Sequence, residues 1–294
     1  AFVDKGEDNG VGDDGTHLFH QVERQGGFAV LAAVEEADVG IEAHGLHGGK
    51  GLVVEQGVGE GEEGVDGVVV IGGDGSFKGA REFTEEYNIP FVGIPGTIDN
   101  DLYGTDYTIG YDTALNTIVE SVDKIRDTAS SHDRLFFIEV MGRDAGFLAL
   151  RGGIATGAEA ILIPEINYDT TNLKEHLAKY YKRKKLTNIV LVAEGDETGG
   201  AFEVAEQVKE DFEGFDIRVT VLGHIQRGGP PSAFDRVIAS QMGVAAVEAL
   251  LDDQKSVMVG IINREIVHIP FNRTIKNQKD VNKRLLEIQD ILSI

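Results

Sequence analysis

Strand-length apolar runs recur from Gly67 onward, at Val68 to Ile71, Phe91 to Ile94, Leu135 to Val140, Ile161 to Ile163, Ile189 to Ala193, Val219 to Leu222 and Val257 to Ile262. Helix-length segments separate most of them. From Tyr111 to Thr128 the apolar positions Ala114, Leu115, Ile118, Val119, Val122 and Ile125 share one helical face, which predicts a long connecting helix. Pro231 to Leu251 and Asp280 to Leu292 have the same spacing, and Asp144 stands where it can cap a helix that follows Met141-Gly142-Arg143. Strands alternating with helices predict an α/β architecture with parallel sheets and right-handed crossovers. The chain has no internal repeat of fixed period.

The pattern breaks down before Gly67. Residues 1 to 66 hold 15 of the 38 glycines, with 15 acidic residues against 3 basic ones, so −12 of the net charge of −23 lies there. Only Phe28 to Val34 and Gly51 to Val54 read as short strand or helix fragments, while Gly57 to Gly64 reads as charged coil. The segment is expected to be irregular or poorly packed. Its lack of periodicity favours a foreign or misread stretch joined to a genuine body over a divergent β-α-β unit.

Charge and composition narrow the partners. A chain of 294 residues can bury a large core and is expected to divide into two domains. The strong negative charge argues against nucleic acid or an anionic membrane as partner, and it requires any anionic substrate to be met by locally concentrated arginines. With no Cys, disulfides and thiolate chemistry are excluded, which suits a cytoplasmic location. No apolar run is long enough to span a bilayer, and residues 1 to 66 lack a signal-peptide pattern.

Two stretches carry candidate chemistry. In Val68-Val69-Val70-Ile71-Gly72-Gly73-Asp74-Gly75-Ser76 an apolar strand ends in a glycine turn that feeds a helix. Glycines let the backbone approach a phosphate, the amides at the helix N-terminus point at the anion, and Asp74 can hold an accompanying magnesium ion. A bare glycine-aspartate turn is as often only a turn, and its place between strand and helix tips it towards phosphate. The second stretch, Phe91-Val92-Gly93-Ile94-Pro95-Gly96-Thr97-Ile98-Asp99-Asn100-Asp101, brings carboxylates to the matching strand end. In an open parallel sheet both would lie on the carboxyl edge, where such folds bind ligands. The bland reading is that Asp99, Asn100 and Asp101 hydrogen-bond their own loop.

These stretches resemble the ATP-dependent 6-phosphofructokinases of the bacterial type. The extended string from Pro95 through Asp101 to Gly104-Thr105-Asp106-Tyr107-Thr108-Ile109-Gly110 is the specific part. Glu139-Val140-Met141-Gly142-Arg143, Val192-Ala193-Glu194-Gly195 and Leu222-Gly223-His224-Ile225-Gln226-Arg227-Gly228-Gly229 follow in the same order. The resemblance runs from about Gly67 to Ile294 and fails before it. It implies two Rossmann-like domains, residues 67–110 plus 223–273 for ATP and residues 111–222 plus 274–294 for fructose 6-phosphate and effector, with residues 1–66 standing in place of the first nucleotide-binding β-α units. NAD kinases and lipid kinases share the glycine turn but leave Met141 to Arg143 and Gly223 to Gly229 unexplained.

The resemblance also implies roles. Asp99 would take the proton from the sugar 1-hydroxyl, with Thr97 beside the transferring phosphoryl, Arg143 over it and Asp101 assisting. An aspartate with an ordinary pKa of about 3.9 is a weak base at neutral pH, so its contribution would come from placement. Gly72, Gly73, Gly75 and Ser76 would hold ATP, with magnesium at Asp74. Met141, Gly142 and Glu194 would line the sugar pocket. Arg134, Arg218, His224 and Arg227 would clamp the 6-phosphate, with Arg134 and Arg218 reaching into a neighbouring subunit of a homotetramer. Arg126, Glu159, Arg183 and Lys185 would form a nucleotide effector site. By their composition alone, Lys179 to Lys185 read as a solvated helix face. Gly75 and Gly96 favour ATP over pyrophosphate, because pyrophosphate-dependent relatives commonly carry an aspartate and a lysine at the matching places. The competing reading is a non-catalytic sugar-phosphate-binding pseudoenzyme or damaged subunit.

Overall fold

The computed structural model describes residues 28–32, 67–129, 134–166, 174–175, 188–195, 199–212 and 216–292. In chain order the elements are β1 (Phe28–Ala32), β2 (Gly67–Gly72), α1 (Asp74–Tyr87), β3 (Phe91–Pro95), α2 (Tyr111–Ala129), β4 (Arg134–Val140), α3 (Phe147–Thr156), β5 (Ala160–Leu162) and β6 (Asn188–Ala193). There follow α4 (Ala201–Val208), a short 3-10 stretch (Lys209–Phe212), β7 (Asp216–Val221), the 3-10 turn Gly223–Arg227, α5 (Ala233–Leu251), β8 (Val257–Ile262), β9 (Glu265–Pro270), α6 (Phe271–Lys276) and α7 (Lys283–Leu292).

Two compact units result. The first takes the described residues up to Thr97, Leu102–Ile109 and Arg236–Lys279, and the second takes Ile98–Asp101, Gly110–Asp235 and the residues from Asp280. The chain returns to the first unit after Asp235 rather than at Gly223, because the turn that follows Gly223 is bonded to the second unit. Leu222 N–H donates to Glu139 O, and the Gln226 side chain accepts from Met141 N–H.

In the first unit the sheet order is β1-β2-β3-β8-β9, with the first four strands parallel and β9 antiparallel. Alternation along β2 sends its side chains to two cores. Val68 and Val70 pack with Phe77, Phe83, Phe91 and Phe271 beneath α1 and α6. Val69 packs with Val92, Ile94, Ile238, Met242 and Ala246 beneath α5. Each of the largest buried side chains contributes about 1.5–3 kcal/mol. In the second unit β5-β6-β4-β7 are all parallel, and Leu135, Phe137, Val190 and Val192 meet Val204 and Val208 of α4 on one face. On the other face the absent side chain of Gly152 lets α3 lie against Ile118 of α2 and Leu191 of β6. These are two α/β layer systems with helices flanking largely parallel sheets, as the alternation of strands and helices predicts.

The departures have local causes. Phe28–Ala32 forms a strand in parallel register with Gly67–Ile71, while the other residues before Gly67, including the Gly51 to Val54 fragment and any strand-turn-helix before residue 28, lie outside those described. Strand β7 starts at Asp216 instead of Val219, because its pairing with β4 starts at Arg134. Strand β9 was not expected from the apolar runs. It follows a two-residue turn at Asn263-Arg264, both at positive φ (52° and 71°), and that left-handed pair matches the twist of a tight hairpin. Asp144 does not cap α3. The helix begins at Phe147 with Gly146 as its N-cap, and Gly146 N–H donates to Glu165 Oε1 at 2.8 Å. Among the described residues no helix is long and apolar enough to cross a membrane.

Candidate active site

In the first unit, β2 and β3 run side by side and end in the two glycine turns that the sequence singles out. Gly96 N–H donates to Gly72 O at 3.0 Å, extending the ladder one residue past β3, and a Cβ on Gly73 would stand 4.0 Å from Thr97 Cβ. Thr97 is thus brought against the glycine turn. Its own loop is fixed by Thr108 Oγ1, which donates to Thr97 O at 2.6 Å, and by Ile109 N–H, which donates to Pro95 O at 2.9 Å. Helix α1 starts at Asp74 with Gly73 as its N-cap, and among the described residues no side chain caps it, which suits its first amides to an anion. The half-exposed Asp74 carboxylate pairs with Lys78 one turn on.

Gly75 and Gly96 differ in kind. A Cβ at Gly75 would enter open space, whereas one at Gly96 would lie 3.0 Å from Ile71 Cγ2 and 3.6 Å from Gly72 N. Packing against β2 is sufficient reason for glycine at 96. At 75 the structure imposes no such requirement, so Gly75 alone bears on the choice of ligand.

In the second unit, Asp99 is buried (5 % exposed) and Arg143 Nε stands 3.9 Å from its Oδ2. A buried carboxylate needs cations or hydrogen-bond donors around it, and the guanidinium supplies one. Arg143 belongs to a turn held from several sides. Gly142 sits at φ +152° and Arg143 at φ +51°, the left-handed region that side chains rarely adopt. Glu194 Oε1 accepts from Arg143 N–H at 2.9 Å and from Gly142 N–H at 3.3 Å. Gly195 lies so close that a Cβ there would be 1.9 Å from Arg143 O. Gln226 Oε1 accepts from the N–H of buried Met141 at 3.0 Å. Among the expected residues of this unit, Asp99, Met141, Gly142, Arg143 and Glu194 are therefore tied together. His224 and Arg227 are exposed on the 3-10 turn, linked to the others through Gln226. Asp101, partly exposed, lies in the same short segment as Asp99.

Arg134 and Arg218 form a separate group. Arg134 opens β4, and Met141 begins the turn seven residues later, about 23 Å away at strand rise. Both arginines meet one oxygen of Asp216, Arg134 Nε at 3.4 Å and Arg218 Nη2 at 3.0 Å, on the edge strand β7. Of the expected effector residues, Arg126 donates to Thr156 O, and buried Glu159 accepts Ile189 N–H at 2.7 Å, so both have partners within this chain. Arg183 and Lys185 lie outside the described residues, as does the Lys179 to Lys185 run.

Gln226, Gly195 and Asp216 escaped the sequence-based choice of site residues. The first two lie inside the quoted motifs, and Asp216 stands two residues before Arg218, where strand alternation puts both on one face.

Comparison with known proteins bears on this arrangement. The family model described as phosphofructokinase matches residues 60–250, beginning slightly before the Gly67 expected from the motifs. The chain is 58% identical over 232 residues to ATP-dependent 6-phosphofructokinase 2 of Bacteroides thetaiotaomicron, covering 79% of this chain and 71% of that protein. It is 52% identical over 231 residues to ATP-dependent 6-phosphofructokinase 1 of Thermus thermophilus, with the same two coverages. Among solved structures, Saccharomyces cerevisiae phosphofructokinase superposes with a TM-score of 0.67 at 35% identity, over 78% of this chain but only 34% of the yeast chain. A pyrophosphate-dependent phosphofructokinase from Marinobacter aquaeolei gives a TM-score of 0.65 at 26% identity, over 74% of this chain and 62% of that one. The uncapped glycine turn, the Asp99–Arg143 pair and the strapped turn beside it fall within the matched residues, and the chain belongs to the phosphofructokinase family.

Proposed function

We propose that the chain is an ATP-dependent 6-phosphofructokinase, transferring the γ-phosphate of ATP to the 1-hydroxyl of fructose 6-phosphate to give fructose 1,6-bisphosphate, a glycolytic step. The observation that carries this reading is the buried Asp99 with the Arg143 guanidinium held beside it. Phosphoryl transfer asks little covalent work of a protein beyond alignment, charge stabilisation and a group to receive the hydroxyl proton. Asp99 Oδ receives the proton of the 1-hydroxyl as that oxygen attacks the γ-phosphorus and the bond to the ADP oxygen breaks. Arg143, fixed by its strapped turn, offers positive charge without reorganising during the reaction. The uncapped α1 N-terminus and the turn Gly72, Gly73, Gly75 and Ser76 receive the nucleotide phosphates, with Thr97 beside them. Met141, Gly142 and Glu194 line the sugar pocket, and His224 and Arg227 take the 6-phosphate.

Magnesium fits the first unit. Mg²⁺ is commonly held by one or two carboxylates together with substrate phosphate oxygens, and the half-exposed carboxylate of Asp74 stands at the phosphate turn. Asp74 would hold the ion, which when bound neutralises charge on the phosphate oxygens. ATP rather than pyrophosphate is favoured by the open space at Gly75 and by the names of the relatives above 50% identity.

The homotetramer belongs to the same proposal. Arg134 and Arg218 serve a neighbouring subunit's 6-phosphate site, a reading supported by Arg134 opening β4 at the far end from Met141 and by Arg218 lying beside it on the edge strand β7. Effector control through Arg126, Glu159, Arg183 and Lys185, and a cytoplasmic location, complete it.

The test is a coupled assay for ADP release with fructose 6-phosphate, on the parent chain and on Asp99→Ser. The variant is expected to lose kcat by two or more orders of magnitude while calorimetry shows fructose 6-phosphate binding nearly unchanged. Unaltered turnover in Asp99→Ser would remove Asp99 from its role. A parent chain that binds the sugar phosphate without turnover would support the non-catalytic alternative.

A further inference from the structure

We infer that Gln226 is a positioning residue that links the hold on the sugar's 6-phosphate to the catalytic turn at the other end of the substrate. The inference deepens the kinase reading and rests on it. On the turn Gly223–Arg227 the side chains of His224 and Arg227 face solvent, while Gln226 between them is 1% exposed. Its Oε1 accepts the Met141 N–H at 3.0 Å. Met141 opens the turn in which Gly142 at φ +152° and Arg143 at φ +51° lead to the guanidinium 3.9 Å from Asp99. This side-chain hydrogen bond therefore joins the turn that carries His224 and Arg227 to the turn whose arginine faces the base.

The other end of the same side chain shows why it is a glutamine. Its Nε2 is buried and, among the described residues, has no hydrogen-bond partner. The amide cannot be reversed to relieve this, since Nε2 would then face the Met141 N–H donor to donor. A buried donor left unpaired is unfavourable, so the side chain is kept for its acceptor. The neighbouring backbone is tied in parallel, Leu222 N–H donating to Glu139 O, which registers the start of the 3-10 turn against the end of β4. Phosphate bound at His224 and Arg227 then stiffens the 3-10 turn and, through Gln226, the left-handed Arg143. Binding energy from the non-reacting end of the sugar is thereby spent on alignment at the reacting end, and its loss falls on kcat.

The experiment compares the parent chain with Gln226→Met, which keeps the length and removes the acceptor, and Gln226→Glu, which keeps an oxygen for the Met141 N–H. Steady-state kinetics with ATP and fructose 6-phosphate, calorimetry with fructose 6-phosphate and thermal melts are measured on each. Gln226→Met is expected to lower kcat at least tenfold with the KM for ATP within twofold of the parent, and Gln226→Glu to recover most of that loss. If Gln226→Met does not fold, Gln226→Asn, whose shorter amide cannot reach Met141, is held to the same criterion. A folded Met or Asn variant with kcat within twofold of the parent overturns the inference, as does a Glu variant as slow as the Met variant. A parent chain that neither binds nor phosphorylates fructose 6-phosphate fails the kinase reading itself, whereas an active parent with an indifferent Gln226→Met fails the inference alone.

Discussion

Replacing Gly195 by Ala tests whether the strapped turn governs catalysis. A Cβ on residue 195 would stand 1.9 Å from Arg143 O, 2.8 Å from Arg143 C and 3.1 Å from Asp144 Cα. The nearest of these is about 1.5 Å inside ordinary contact. All three are backbone atoms, so no side-chain rotation relieves the clash and the turn itself must move. Arg143 cannot yield freely, because its left-handed φ and the Glu194 bonds to Gly142 and Arg143 were set for the original position. A misplacement of roughly 1 Å costs about 10²-fold in rate, about 2.7 kcal/mol of transition-state stabilisation. The same overpacking lowers stability by about 1–3 kcal/mol, a Tm shift of several degrees. Assayed at 25 °C, where the variant stays folded, Gly195→Ala should lose about 10²-fold in kcat with its KM for ATP little changed. A variant with kcat within twofold of the parent, in a protein whose melt confirms the strain, would refute the claim that the geometry of this turn limits the reaction.

Two further outcomes follow from the same geometry. Gly75→Asp should leave the melt unchanged, since its Cβ enters open space, and should weaken the use of ATP at least tenfold by placing a carboxylate at the phosphate turn, as read from the KM for ATP. Asp235 is buried and its carboxylate accepts Gly110 N–H at 3.0 Å, Thr113 N–H at 2.8 Å and the Thr113 hydroxyl, so Asp235→Ala should destabilise by about 3 kcal/mol in chemical unfolding, and Asp235→Asn by less.

Much of the fold was legible because the parallel strands of a helix-covered sheet are apolar almost throughout, as Val68 to Ile71 and Ile189 to Ala193 are. The edges were harder to read. Strands β7 and β9 are half-exposed, so Asp216 and Arg218 interrupt one and Glu265 and His268 the other, and an apolar run no longer marks where each begins. The site divides in the same way. Residue types with their own chemistry, Asp74, Asp99 and Arg143, stand out in a string of letters, whereas Gln226 and Gly195 act through one backbone bond and one missing Cβ.

That difference has a mechanistic consequence. In the proposed reaction Asp99 and Arg143 supply the charge, but neither alone explains why Arg143 stays in a left-handed turn that most residues avoid. The restraint comes from β4 and β6, which end together, so that Glu194 N–H donates to Val140 O and carries the Glu194 carboxylate beneath the amides of Gly142 and Arg143. Parallel pairing of Val140 with Ala193 therefore fixes the height of Arg143. A slip of one residue in that register would turn Glu194 to the opposite face and leave both amides without their acceptor, so the proposed reaction would depend on strand pairing in the core as directly as on the groups proposed to touch the substrate.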